Sequence, residues 1–291
     1  MTLPNVFFIT GTSSGFGRVL VEQLSAQGQN VIATARNLDK IKDFDDLPNV
    51  TILQLDVSDS EEEIGHVVDQ ALGIHGYVTH IINNAGYGLS GCVEEPSIDQ
   101  AKRQFDVNYW GAVSVTRKFL PHLRTRTEGD KCIAAVSSAF AFQTQLATSY
   151  YCATKAAMEM TFEALKMETQ HLGIKVLLIE PGAFRTNILH QDTNIHMPKH
   201  SIADYSPITD NVNKMYKELD GQQVGDTGLG CKRMIELMNM TGEAKEISKG
   251  EMPVRVALGP DAVDMITKKG NELVENCNKW ADFSKSTDRK A

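Results

Sequence analysis

Tyr150, Tyr151 and Lys155 stand together in the stretch SYYCATK. A tyrosine, with an ordinary pKa of about 10, serves as an acid or base near neutral pH only if that pKa is lowered. A nearby ammonium lowers it by favouring the phenolate. If a helix has begun here, Tyr151 and Lys155 are i and i+4 and share one face. Tyr150 and Lys155 are i and i+5, about 140° apart on a helix of 3.6 residues per turn. The lysine therefore selects Tyr151 as the candidate acid.

A second chemistry-bearing stretch is TGTSSGFG, residues 10–17. Gly11, Gly15 and Gly17 follow a short apolar run and open a segment with Val19, Leu20 and Leu24 at helical spacing. Glycines let backbone approach a pyrophosphate, and a helix N-terminus favours its charge. Gly11, Ser13, Ser14, Gly15, Phe16 and Gly17 are thus candidate contacts of a dinucleotide; an ordinary tight turn is the alternative. The next apolar run ends in Ala35 and Arg36, where an NAD site would carry a carboxylate for the ribose 2′-hydroxyl. A guanidinium there suits a 2′-phosphate instead. The expected cofactor is NADP(H) in preference to NAD(H), with Ser13 adding a hydroxyl.

These groups need a frame. Short β-branched runs at 6–10, 30–35, 50–56, 78–83, 132–137, 174–180 and 253–258 read as strands. Segments 16–27, 59–72, 99–123, 151–171 and 261–280 read as helices. Such alternation predicts an α/β fold with a parallel sheet covered by helices on both faces. The region 183–223 is read as irregular, an insertion more like a substrate lid than a second domain.

The spacing TGxxxGxG resembles the fingerprint of the short-chain dehydrogenase/reductase family. Further resemblances follow in order down the chain: NNAG at 83–86, Asn108 in FDVNYWG, a serine in AVSSAF, YxxxK at 151–155 and PGAFRT at 181–186. The stretch NNAGYG is most similar to the 17-beta-hydroxysteroid dehydrogenase-like and carbonyl reductase branch. The resemblance covers nearly the whole chain. It implies a Rossmann-type, doubly wound, mostly parallel seven-stranded sheet flanked by helices, in a single domain spanning 1–291 with a substrate-loop insertion. Residues up to about 130 would form the cofactor half, those from 131 the catalytic and substrate half.

The family's roles fall on particular residues. Asp56 would bond the adenine amino group, with Val57 beside it. Asn84, Ala85 and Gly86 would run along the cofactor. Asn108 would kink its helix and hold a water leading to Lys155, which also binds the nicotinamide ribose. Pro181, Gly182, Phe184 and Thr186 would fix the carboxamide. For the catalytic serine there are two candidates, because Ser137 and Ser138 each stand 13 residues before a tyrosine. With Tyr151 chosen, Ser138 is the partner, leaving Tyr150 and Ser137 for packing or backbone hydrogen bonds. The family usually has glycine three residues after that serine; here it is Ala141.

The activity implied is NADPH-dependent interconversion of a ketone or aldehyde and an alcohol. Tyr151 would be the acid or base, its pKa lowered by Lys155, with Ser138 on the carbonyl and Asn108 completing the proton path. The competing readings are a non-redox epimerase or dehydratase on the same scaffold, and an NADP-binding regulator. Tyr87–Gly91, Phe140–Gln143 and the 183–223 region are expected to wall the substrate pocket. Leu89, Phe140, Phe142 and Met197 would make it apolar.

Composition narrows the partners. The chain of 291 residues is 42% hydrophobic, with a net charge of -8. That balance disfavours nucleic acid and anionic membranes and leaves a small-molecule substrate as the expected partner. The five cysteines lack CxxC spacing and read as reduced thiols, with no metal expected. No apolar run approaches a membrane span, and the N-terminal stretch lacks a secretory pattern. A cytoplasmic protein is expected. The family's habit of pairing through the Asn108 and Tyr151 helices implies a homodimer or homotetramer.

Overall fold

The computed structural model describes residues 4–190 and 194–289. In chain order the elements are β1 (Val6–Ile9), α1 (Gly15–Ala26), β2 (Asn30–Ala35), β3 (Val50–Gln54), α2 (Glu61–His75), β4 (His80–Asn83), β5 (Gly88–Leu89), α3 (Ile98–Phe105), α4 (Ala112–Thr125), β6 (Cys132–Val136), α5 (Ser149–Thr169), β7 (Lys175–Pro181), β8 (Ile195–His196), α6 (Ser206–Leu219), α7 (Thr227–Asn239), α8 (Gly242–Ser248), β9 (Arg255–Leu258), α9 (Pro260–Lys279) and α10 (Ala281–Lys285).

Seven strands form one parallel sheet in the order β3-β2-β1-β4-β6-β7-β9. Strands β1, β4 and β6 are buried along their whole length, which is why β1 and β6 read as continuous apolar runs. One face packs against α2, α4 and α5 through Val68, Phe119 and Phe162. The other packs against α1 and α7 through Leu20, Leu24, Met234 and Met238. The chain winds outward in both directions from β1 and β4. Their carboxyl ends therefore flank the crevice where ligands bind in open α/β sheets. Among the described residues no helix is long and apolar enough to cross a membrane.

The expected helix over 99–123 is interrupted. Residues Asp106–Gly111 form a π-helical turn between α3 and α4. An extra residue is accommodated there, and such bulges frequently mark functional sites. The region read as irregular contains β8 and α6, and β8 pairs in parallel with β5. The short helices α7 and α8 lie in a stretch for which the sequence reading assigned no elements. Residues 191–193 of the expected insertion lie outside the described residues.

Candidate active site

A cavity of about 880 Å³ opens at the carboxyl ends of β1, β4 and β6. At one end is the glycine turn. Gly11 has φ +70, and a Cβ there would fall 2.8 Å from Ala85 Cα. Only glycine lets the β1 turn lie this close to the β4 turn. Thr10 ties the same two turns together, its Oγ1 accepting from the backbone N–H of Asn84 and Ala85, both at 3.0 Å. Helix α1 then starts with Ser14 as N-cap, without a side-chain cap and without an acidic residue in its first turn. Its amino end presents unpaired N–H groups and positive dipole to the cavity, where Ser13, Ser14, Gly15 and Phe16 form the wall.

Arg36 stands exposed on the rim beyond the end of β2, paired with no carboxylate among the described residues. Its carbonyl accepts from Gln54 Nε2 at 3.0 Å, which fixes the backbone and leaves the guanidinium free. Asp56 and Val57 also line the cavity. One Asp56 oxygen accepts from the N–H and hydroxyl of Ser58, at 2.9 and 2.6 Å. Asn84, Ala85, Gly86, Pro181, Gly182, Phe184 and Thr186 complete this half of the wall. Gly17 is buried behind it. The donors, the unscreened helix end and the close-packed glycine turn fit a dinucleotide.

The reactive groups sit deeper. Helix α5 begins at Ser149, so Tyr151 and Lys155 occupy successive turns of one face and both border the cavity. Ser138 borders the same cavity, and its hydroxyl favours the ionised form of Tyr151. Ser138 also accepts from Phe140 N at 3.2 Å, which turns the chain into a short 3-10 helix after β6. Tyr150 points elsewhere: its hydroxyl donates to Val93 O at 3.0 Å on the surface. Ser137 instead donates to Glu159, a buried carboxylate rather than a backbone group.

Two electrostatic expectations change. Burial pushes the Tyr151 hydroxyl up to about 12, and the Ser138 hydroxyl opposes this without reversing it. The expected lowering by Lys155 is not met, because desolvation disfavours the phenolate more than Ser138 favours it, with Cys152 and Tyr216 adding to the rise. Burial also lowers Lys155 to about 8, with the charge of Glu159 acting in the opposite sense. Lys155 Nζ lies 5.8 Å from the Tyr151 ring centre and donates to Val136 O at 2.8 Å.

Asn108 lies in the π turn, 1% exposed. Its Oδ1 accepts from Tyr87 N at 3.0 Å, and its Nδ2 donates to Tyr87 O at 2.9 Å. It also donates to Thr154 Oγ1 at 3.3 Å. Asn108 thus braces the loop after NNAG against the helix of Tyr151 and Lys155, and the widened turn is what aims it there. It stands behind the cavity wall.

The rest of the pocket departs from expectation in places. Tyr87, Leu89, Phe140, Ile188, Leu189 and Ile195 supply an apolar wall. Phe142 does not join it and lies under Arg255, 5.0 Å from ring centre to guanidinium carbon. Met197 packs instead beside Ile195, Val212 and Tyr216 under the insertion. Ala141 closes the 3-10 turn that Ser138 begins.

His196, Lys199 and Tyr216 join the wall from within the 183–223 region expected there, while Gln100 and Arg103 of α3 lie outside every stretch expected to wall the pocket. His196 stacks on Tyr87 with ring centres 4.5 Å apart. Gln100 donates to Met197 O at 2.9 Å and accepts from Lys199 N at 3.1 Å. Glu95, fully buried, accepts from Cys92 N, Ile202 N and Thr209 Oγ1 at 2.8, 3.3 and 2.9 Å. Burial pushes its carboxyl up, but these bonds outweigh that and hold it below the usual range. A two-residue strand shows no period, so only the spacing of Gln100 and Arg103 on one helix face could have signalled this wall.

The family model for short chain dehydrogenases matches residues 5–195. The chain belongs to the short-chain dehydrogenase family. It is 29% identical over 289 residues to a 3-ketodihydrosphingosine reductase of Bacteroides thetaiotaomicron, spanning 96% of each chain. It is 30% identical to a short-chain dehydrogenase from Streptomyces avermitilis, with a TM-score of 0.85 and 98% of each chain covered. A relative from Burkholderia phymatum in complex with NAD is 18% identical, with a TM-score of 0.77 over 94% of this chain and 95% of that one. At that identity it shows the fold alone. Among the solved neighbours of this family are NAD and NADP complexes.

Proposed function

We propose that this chain reduces a ketone or aldehyde on a largely apolar small molecule, using NADPH, and runs the reverse oxidation with the same residues. The observation that carries the reading is the convergence of Tyr151, Ser138 and Lys155 on one cavity, with Lys155 one turn along α5 from Tyr151. The full-length similarity to a 3-ketodihydrosphingosine reductase supports a long apolar ketone as the substrate type.

Gly11, Ser13, Ser14, Gly15 and Phe16 would hold the pyrophosphate, and Arg36 the 2′-phosphate. Asp56 and Val57 would meet the adenine. Asn84 to Gly86, Pro181, Gly182, Phe184 and Thr186 would set the nicotinamide ring. The bound nucleotide supplies a hydride to the substrate carbonyl carbon.

Ser138 donates a hydrogen bond to the carbonyl oxygen, where negative charge develops. Tyr151 transfers its proton to that oxygen. With burial holding Tyr151 near 12, the hydroxyl is protonated at neutral pH, the form that reduction requires. Lys155 compensates the phenolate left behind and binds the nicotinamide ribose. Asn108 keeps the Tyr87 loop and α5 in register and leads the proton path. The 183–223 insertion acts as the substrate lid over a cofactor half and a catalytic half of one domain. Trp110, Met160 and Met167, each more than half exposed on the Asn108 and Tyr151 helices, support pairing across that face.

The test is Tyr151→Phe, assayed by NADPH oxidation against a panel of apolar ketones. Turnover should fall at least a thousandfold while NADPH still binds by fluorescence titration. Tyr150→Phe should keep its rate. Full activity in Tyr151→Phe would overturn the assignment.

A further inference from the structure

Behind the Tyr151–Lys155 face lies a buried charge cluster that the proposed reaction does not use. Ser137, adjacent to Ser138, donates its hydroxyl to Glu159 Oε1. Glu159 stands one turn after Lys155 on α5 and is 2% exposed. Its other oxygen meets Arg255 Nη1, at the start of β9. Arg255 also reaches Glu180 Oε1 at 3.2 Å and, through Nε, Glu163 Oε1 at 2.6 Å. Glu180 immediately precedes Pro181 on β7 and is likewise 2% exposed.

The connections converge on one strand end. Val136 takes the Lys155 ammonium through its carbonyl, and Ser137 is tied to Glu159. Two consecutive residues at the β6 end, just before Ser138, are thus each fastened to α5 by a different side chain. We propose that Glu159, gripped by Ser137 and Arg255, is a positioning residue that sets the β6 end against α5 and serves as the buried counter-charge keeping Lys155 an ammonium. This rests on the reading of Lys155 as a working group of the site.

The surroundings of Lys155 support the assignment. From β6 it faces the Val136 carbonyl, and beside Gly86 it neighbours the Asn108 amide. From its own helix it faces Tyr151 and Glu159. Glu180, Glu163 and Arg255 stand behind Glu159. Burial lowers Lys155, and Glu159 is the charge that raises it. Burial raises Glu159 as well, while Ser137 and then Arg255 hold it down. Removing either grip neutralises Glu159 at lower proton cost, and Lys155 then loses its proton at lower pH.

The experiment reads Lys155 directly in the full chain. Competitive labelling with acetic anhydride across pH 5 to 10, followed by peptide mass spectrometry, gives the midpoint at which Lys155 becomes nucleophilic. Glu159→Gln should move that midpoint to lower pH, and Glu159→Asp should return it towards the parent value. The alkaline limb of kcat/KM should move in the same direction. An unmoved midpoint in Glu159→Gln, with circular dichroism and melting transition intact, would overturn the proposal and leave Glu159 a structural clamp for Arg255. Should Glu159→Gln fail to fold, Ser137→Ala decides by the same midpoint. The labelling needs no turnover, so loss of the oxidoreductase reading would show in the Tyr151→Phe assay and not here.

Discussion

Asn84 occupies the space that a side chain at Gly17 would need: a Cβ on Gly17 would fall 2.5 Å from Asn84 Nδ2 and 2.4 Å from Gly11 O. The amide uses the gap to donate to Thr10 O and Gly11 O, at 2.9 and 3.0 Å. Gly17→Ala should therefore displace Asn84 and loosen the β1 turn. Overpacking and the lost bonds together should cost about 2–4 kcal/mol. Urea denaturation would read the loss, and nucleotide titration should show weakened binding in the folded fraction. A variant as stable as the parent would mean that the turn has slack.

Arg36 decides the second prediction. Among the described residues nothing acidic pairs with its guanidinium. Replacing it by aspartate substitutes repulsion for attraction at a 2′-phosphate and supplies an acceptor for a 2′-hydroxyl. Arg36→Asp should raise KM for NADPH at least tenfold and lower the ratio to NADH, with kcat little changed. An unchanged preference would place the 2′-phosphate elsewhere.

Buried His80 gives a pH dependence with a definite sign. Burial depresses it from 6.5 to about 4, and its ring stacks on Phe7 at 4.3 Å. The unfolded chain thus binds the proton more readily, and stability falls as pH drops from about 6.5 towards 4. The loss is on the order of 3 kcal/mol at 1.36 kcal/mol per unit. Glu180, raised by burial to about 7, acts in the opposite direction over part of this range. The comparison with His80→Gln isolates the histidine: its melting temperature should decline less steeply between pH 6.5 and 4.

Glu95 holds the insertion from within. Its three acceptor bonds join the Cys92 loop to Ile202 and Thr209. Glu95→Ala orphans those donors, and bonds to a charged group are worth about 1.5–3 kcal/mol each. Hydrogen exchange over 200–216 should accelerate at least tenfold, and KM for the ketone should rise more than kcat falls. Protection equal to the parent would show that the Gln100 bonds to Met197 and Lys199 suffice to hold the insertion.

Much of this was legible in the residues. The central strands announce themselves because both faces are covered, so VFFI and CIAAV read as unbroken apolar runs. The choice of Tyr151 over Tyr150 needed only the helical angle to Lys155. What the sequence concealed was non-local. The π turn at 106–111 depends on how Asn108 meets the Tyr87 loop, which no helical period encodes. Helix α6 buries only Thr209, Val212 and Tyr216, leaving a weak apolar stripe to detect. The rise of Tyr151 to about 12 follows from burial, a property of the folded cavity and not of the YxxxK spacing.

The π turn also works as a phase shifter. One surplus residue rotates everything before it by about 100° relative to everything after it. Helix α4 has its angle dictated by the sheet, through Val115, Phe119 and Leu123. Helix α3 takes its angle from the cavity, to which it shows Gln100 and Arg103. Deleting a single residue between 106 and 111 would leave the core seam aligned and swing the α3 face away from the insertion. One continuous rod thus carries two separately adjustable surfaces, and substrate preference is free to drift on the first without disturbing the packing of the second.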